Sequence, residues 1–202
     1  MEDFIVKYHN IVFDFGNVLG RFDEYYILNH YVDNKDDFQI LSDAIFHNWP
    51  ALDAGTIDYD QNAKETIAAL PDHLKETARN FYTSWFQYVN PLTDTWNFIH
   101  ELKEQGYSVY LLSNASTRFA EVAKKYYSIL NEFDGIIFSA PVKLAKPDPA
   151  IYQYLFNTYC LAPEDCFFLD DLPENIAAGQ ALGMDGMVFT GNISDIKKAI
   201  CF

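Results

Sequence analysis

The chain has 202 residues, half of them hydrophobic and 21% charged, with a formal net charge of −15. Such a composition excludes a disordered chain, and the negative charge disfavours nucleic acid and anionic membrane partners, which bind mainly through their phosphates. The length suits one core domain with at most a small insertion.

No apolar run approaches the ~20 residues that cross a bilayer. Glu2 and Asp3 stand where a secretion leader would carry positive charge, so a cytoplasmic protein is expected. The three cysteines, Cys160, Cys166 and Cys201, are dispersed among apolar neighbours. They read as reduced core thiols, not as a disulfide frame or a metal knuckle.

In chain order, the first predicted strand spans residues 10–14 and ends at Asp14. Residues 21–90 then contain no convincing strand and are rich in aromatics, among them Phe46, Trp49, Trp85 and Phe86. With breaks at Pro50, Gly55 and Pro71, this segment is expected to be a helical insertion with its own small core. It would sit over the carboxyl edge of a sheet. Pro91 marks the return to the core.

Strands are then expected at 108–113, 134–138, 166–170 and 186–190, alternating with helices. Leu92, Trp96, Ile99 and Leu102 share one helical face, which Gly106 terminates. Phe119, Val122, Ala123, Tyr126 and Leu130 share another, and Asp148-Pro149 opens a third helix with a cap and a proline at its first position. Strand–helix alternation implies an α/β fold, a doubly wound parallel Rossmann-like sheet with a helical cap insertion. The division is residues 1–20 and 91–202 for the core domain and 21–90 for the cap.

Four stretches carry chemistry: Ile11-Val-Phe-Asp-Phe-Gly-Asn-Val18, Leu111-Leu-Ser-Asn-Ala115, Lys146-Pro-Asp-Pro149 and Phe167-Phe-Leu-Asp-Asp171. Three are apolar runs that stop at a polar residue, as buried parallel strands do when they open onto a site. Asp14 is a candidate nucleophile on phosphorus, and Asp170 and Asp171 are candidate ligands for a divalent metal. Ser113 and Asn114, just before a helix starting near Ser116, could form an anion cradle. Lys146 on a stiff loop could neutralise a phosphate and orient the nucleophile. Asp171 equally fits a helix N-cap, with Pro173 in the first turn and Glu174 at its third position.

These four stretches resemble the motifs of the haloacid dehalogenase-like hydrolase superfamily, and the resemblance runs over essentially the whole chain. It implies a nucleophile at Asp14, a phosphate donor at Ser113 with Asn114 beside it, and the third-motif lysine at Lys146. Mg2+ would be held by Asp14, the Gly16 carbonyl and Asp171, with Asp170 in support. The 21–90 insertion is similar to the family's first type of helical cap. Phe13-Asp-Phe-Gly-Asn-Val-Leu19 and the Gly-x-Ile pattern in Asp53-Ala-Gly-Thr-Ile57 resemble a sugar-phosphate phosphatase subgroup that includes an α-glucose-1-phosphate phosphatase.

The resemblance implies a magnesium-dependent phosphatase acting on a small phosphorylated metabolite through an aspartyl-phosphate. Specificity would come from the cap, with Trp49, Asp53, Thr56 and Arg21 as candidates to contact the leaving group. One departure stands out: Gly16 occupies the position where most of the family's phosphatases carry an acid/base aspartate. Two alternatives therefore remain, a 2-haloacid dehalogenase and a catalytically impaired phosphate-binding protein.

Overall fold

Short, mostly apolar runs of four to six residues make the five strands of the main sheet in this protein, whose computed structural model describes residues 7–202. Glu2 and Asp3 lie outside the described residues. The strands are β1 (Asn10–Phe13), the two-residue β2 (Gly20–Arg21) and β3 (Asn90–Pro91), β4 (Ser108–Ser113), β5 (Gly135–Phe138), β6 (Cys166–Asp170) and β7 (Asp185–Val188). Five of them form one parallel sheet in the order β5-β4-β1-β6-β7. β1 lies at its centre, with Ile11 opposite Val109 on one side and Phe167 on the other. The strands expected at 108–113 and 166–170 span those residues. The other three differ from expectation by one or two residues at their ends.

The helices are α1 (Glu24–Leu28), α2 (Lys35–Phe46), α3 (Trp49–Asp53), α4 (Tyr59–Ala69), α5 (Lys75–Ser84), α6 (Thr93–Glu104), α7 (Thr117–Tyr126), α8 (Ser139–Val142), α9 (Pro149–Tyr159), α10 (Pro173–Gln180) and α11 (Ile193–Ala199). Short polar side chains start several of them. Asp23, Asn34, Asp58 and Ser116 accept from first-turn N–H groups, and Asp148 caps α9 just before Pro149. Gly106, at φ +85°, follows α6.

Strand alternation sends side chains to two apolar layers. Ile11, Phe13, Val109 and Leu111 meet α6, α7 and α11 through Phe98, Ile99, Phe119 and Ile196. Val12, Tyr110, Leu112 and Phe168 meet α9 and α10 through Ile151, Tyr152, Leu155 and Ile176. The fold is therefore α/β and Rossmann-like, with helices on both faces of the sheet.

Several sequence expectations need correction. The helical segment does not pack on a core of its own: its buried residues belong to the same cluster as one face of the sheet. Trp49 lies 4.9 Å from Trp85, Trp85 stacks on Phe119 at 5.6 Å, and Phe119 meets Phe15 at 4.8 Å. Pro50 does not break a helix but sits in the first turn of α3. The ends of the segment do pair, since β2 and β3 form an antiparallel ribbon. Tyr126 is exposed because α7 ends there, and Leu130 lies in the following 3-10 turn. Of the cysteines only Cys166 is buried; Cys160 and Cys201 are exposed and all three are free. Among the described residues no helix is long and apolar enough to cross a membrane.

Phe98, fully buried and edge-on to Phe13 at 6.5 Å, tests the sheet-to-α6 packing. Phe98→Ala should cost about 3–5 kcal/mol in urea unfolding. A loss under about 1 kcal/mol would contradict that packing.

Candidate active site

On either side of β1 the strand order reverses, β4 and β5 lying to one side and β6 and β7 to the other. The crevice this opens at the carboxyl ends is where ligands bind in such sheets. Asp14 follows β1, and its N–H donates to the Leu169 carbonyl at 2.8 Å. Ser113 ends β4, while Asp170 ends β6 with Asp171 next in the chain.

Lys146 reaches this edge from the loop between α8 and α9. Asn114 clamps that loop: its amide donates to the Lys146 carbonyl and accepts the Lys146 N–H, both at 2.9 Å. The buried ammonium then lies 2.6 Å from Asp170 Oδ2 and 2.9 Å from Asp14 Oδ1. Asp170 is saturated. It accepts from Lys146, from the Leu172 N–H at 2.9 Å and from the Asn175 amide at 2.9 and 3.0 Å.

Asp14 is not saturated. Its Oδ1 lies close to Lys146 but off the hydrogen-bonding direction, leaving it a buried acceptor without a hydrogen bond. Burial pushes the Asp14 carboxyl up to about 6, with Lys146 pulling it down and Asp170 adding to the rise.

Carboxylate oxygens of Asp14, Asp170 and Asp171 lie within 4.8 Å of one another. Three carboxylates against one lysine leave two negative charges, and one of the Asp14 oxygens is buried without a hydrogen bond. The donor set is all oxygen, which suits a hard divalent cation such as magnesium. Because Asp170 is already engaged, Asp14 and Asp171 are the two carboxylates free to face such an ion. Asp171 is steadied by Asn17, whose amide donates to its Oδ2 at 2.9 Å. It does not cap α10, whose N-cap is Leu172, with the Leu172 N–H taken by Asp170.

Above this corner is a cavity of about 770 Å³, a usual size for a small-ligand site. Asp14, Gly16, Ser113, Asn114, Lys146 and Asp171 line its floor. Residues 21–90 contribute nine lining residues, of which seven are apolar: Phe22, Phe46, Trp49, Pro50, Ala54, Trp85 and Val89. The other two are Glu24 and Asp53. Burial and the charge of Asp14 push the Asp53 carboxyl up to about 8, against a hydrogen bond from the Ser116 backbone.

Most of the sequence candidates converge here, but not all. Asp170 lies behind Lys146, fully buried and away from the cavity wall. Asn114 lines the cavity, but its amide is spent on the Lys146 loop. Trp49 is both cavity wall and aromatic core, packed among Phe22, Phe46 and Trp85. Arg21 falls outside the cavity: on β2 its side chain is two-thirds exposed and turns 3.8 Å from Asp23. Thr56 is likewise outside, its hydroxyl donating to the Ala51 carbonyl.

Asn17, Asn175 and Ser139 escaped the sequence reading. Asn17 carries a signal, since it follows Gly16 in a turn and adopts φ +54°, a conformation that asparagine tolerates. Asn175 and Ser139 act only through tertiary contacts.

The profile of the haloacid dehalogenase-like hydrolases matches residues 8–183. The chain belongs to that family. Sesquiterpene phosphatase astK of Aspergillus oryzae is 27% identical over 184 residues, 91% of this chain and 90% of that protein. Bifunctional epoxide hydrolase 2 of Mus musculus is 29% identical over 101 residues, but those span only 18% of its length. (S)-2-haloacid dehalogenase 4A of Burkholderia cepacia is 27% identical over 106 residues, 52% of this chain and 46% of that one. Among solved structures, a family enzyme of Bacteroides thetaiotaomicron in complex with magnesium and inorganic phosphate superposes with a TM-score of 0.72. It is 22% identical and covers 92% of this chain and 96% of that one, a likeness of fold.

Lys146→Met removes the cation from between two buried carboxylates and leaves them uncompensated. Urea unfolding near neutral pH should lose about 3–5 kcal/mol. A change under about 1 kcal/mol would mean that the ammonium does not neutralise this corner.

Proposed function

We propose that this hydrolase cleaves phosphate monoesters through an aspartyl-phosphate on Asp14, with Mg2+ held by Asp14, Asp171 and the Gly16 carbonyl. The observation that carries the reading is the cluster of three carboxylates in which Lys146 pairs with Asp14 and Asp170, with Asp14, Lys146 and Asp171 on the floor of the cavity. Asp14 attacks phosphorus in line with the departing oxygen. Lys146 keeps the attacking carboxylate charged and turned toward the cavity, and Asp170 holds Lys146 in place. Ser113 and the start of α7 offer donors to the phosphate oxygens. Magnesium, when bound, supplies the positive charge that screens Asp14 from the anionic phosphate.

The cavity wall favours an apolar alcohol over a sugar as the leaving group. A sugar needs several hydroxyl partners, whereas seven of the nine lining residues from 21–90 are apolar. The sesquiterpene phosphatase, similar along nine-tenths of both chains, supports the same choice. A dehalogenase reading is weaker here, because attack on carbon next to a halide calls for no second carboxylate beside Asp14 at the floor.

Purified protein assayed with prenyl monophosphates, glucose 1-phosphate and 2-chloropropionate, with and without magnesium, tests the reading. The expected result is turnover of phosphate esters only, abolished by EDTA and restored by magnesium, with kcat/KM at least about tenfold higher for the prenyl ester. Dehalogenation that survives EDTA would overturn it. Asp14→Asn should abolish phosphate release while its thermal melt stays cooperative. Magnesium alone should raise Tm, and by more at about pH 7.5 than at about pH 5.5. The sign follows from the Asp14 carboxyl being held up to about 6, where at lower pH a proton competes for the oxygen the cation needs.

A further inference from the structure

An alcohol cannot leave as a bare alkoxide at a useful rate, so the site needs a proton donor opposite Asp14. Gly16 carries none. Among the described residues no histidine, tyrosine or cysteine lines the cavity, and the one lysine that does is paired with two carboxylates. Among the described carboxyl groups at the site, Asp14 must be free to attack, Asp171 faces the cation corner, and Asp170 is saturated. Glu24 and Asp53 remain. Glu24 is exposed at the start of α1, beside Asp23.

Asp53 is half-buried and fixed in place. It ends α3, and its carbonyl accepts from the hydroxyl of Ser139, a fully buried residue at the start of α8. The same hydroxyl accepts the Ala115 N–H at 2.8 Å, in the turn that follows Ser113 and Asn114. One buried serine thus ties the backbone of Asp53 to the floor of the cavity. Two residues on, Gly55 adopts φ +67° and lies so close to α8 that a Cβ there would fall 2.3 Å from the Ala140 carbonyl oxygen. The Gly-x-Ile pattern is therefore a docking turn, and what it docks is Asp53.

Resting on the phosphatase reading above, we infer that Asp53 is the catalytic acid and base of this enzyme, supplied from the helical segment in place of a residue at position 16. As an Asp14 oxygen bonds to phosphorus, the P–O ester bond breaks with its electron pair going to the alcohol oxygen, which takes the Asp53 proton. The Asp53 carboxylate then takes a proton from the attacking water. The water oxygen bonds to phosphorus while the P–O bond to Asp14 breaks and returns its pair to Asp14. The products are alcohol, inorganic phosphate and a reprotonated Asp53. A carboxyl held up to about 8 carries the needed proton at neutral pH and remains close to the working pH on both sides of the cycle.

The decisive experiment compares p-nitrophenyl phosphate, whose leaving group needs no proton, with an alkyl phosphate, whose leaving group does. Asp53→Asn should lose about 10²- to 10⁴-fold in kcat on the alkyl ester and less than about tenfold on the nitrophenyl ester. Asp53→Glu should recover part of the alkyl activity. Thermal melts of both variants check folding. Equal losses on both esters would mean a structural role only, and an undiminished alkyl rate would exclude Asp53 outright; either outcome overturns this inference and leaves the phosphatase reading standing. A wild-type protein inert to both esters would overturn the two together.

Discussion

One ammonium group shared by two buried carboxylates organises this protein. Lys146 would be costly to bury alone, as would Asp14 or Asp170. Together they form a chain of charges in which each member has a fixed partner, and the partners come from three separate parts of the sequence. Asp170 contributes most to the arrangement, since it also accepts from the Leu172 N–H and the Asn175 amide and so cannot turn away. Asp14 is the least satisfied member, because one of its oxygens is left without a hydrogen bond. Such an incompletely satisfied group in an otherwise satisfied cluster is where binding energy can still be gained.

The floor of the site was legible in the sequence because buried parallel strands have a simple grammar. Ile11-Val-Phe, Val109-Tyr-Leu-Leu and Phe167-Phe-Leu are apolar on both faces, so a polar residue ending each run must lie at the sheet edge. The Gly55 turn pointed to Trp49 and Asp53, which line the cavity, and to Thr56, which does not. Arg21 misled because the reading stopped at proximity in sequence, whereas the two-residue pairing of Gly20–Arg21 with Asn90–Pro91 carries its side chain to solvent. Asp171 fitted a capping pattern, yet the backbone turns one residue later. Nothing local distinguishes Asn175 or Ser139 from ordinary helix-start residues, and their roles exist only once distant segments meet.

The supposed independence of the helical segment failed for a related reason. An aromatic-rich stretch suggests a private core, but aromatic rings also make good seams. Trp85 and Phe119 stack across the junction, and Tyr127 donates to the Phe86 and Val89 carbonyls from the sheet side. The exposed Arg118–Asp60 pair at 3.1 Å, worth little in stability, joins α7 to α4 at the rim. The cavity therefore has an apolar roof continuous with the core of the molecule and a charged floor set by the sheet.

The antiparallel ribbon of β2 and β3 has a consequence for how this chain can change. The backbone departs at Gly20–Arg21 and comes back at Asn90–Pro91, so exit and entry are neighbours in space although about seventy positions separate them in sequence. Whatever lies between such gateposts can lengthen, shorten or be exchanged without disturbing how β1 aligns with β4. Diversity in what the cavity admits can thus accumulate above the sheet while the charged floor at the strand ends stays still.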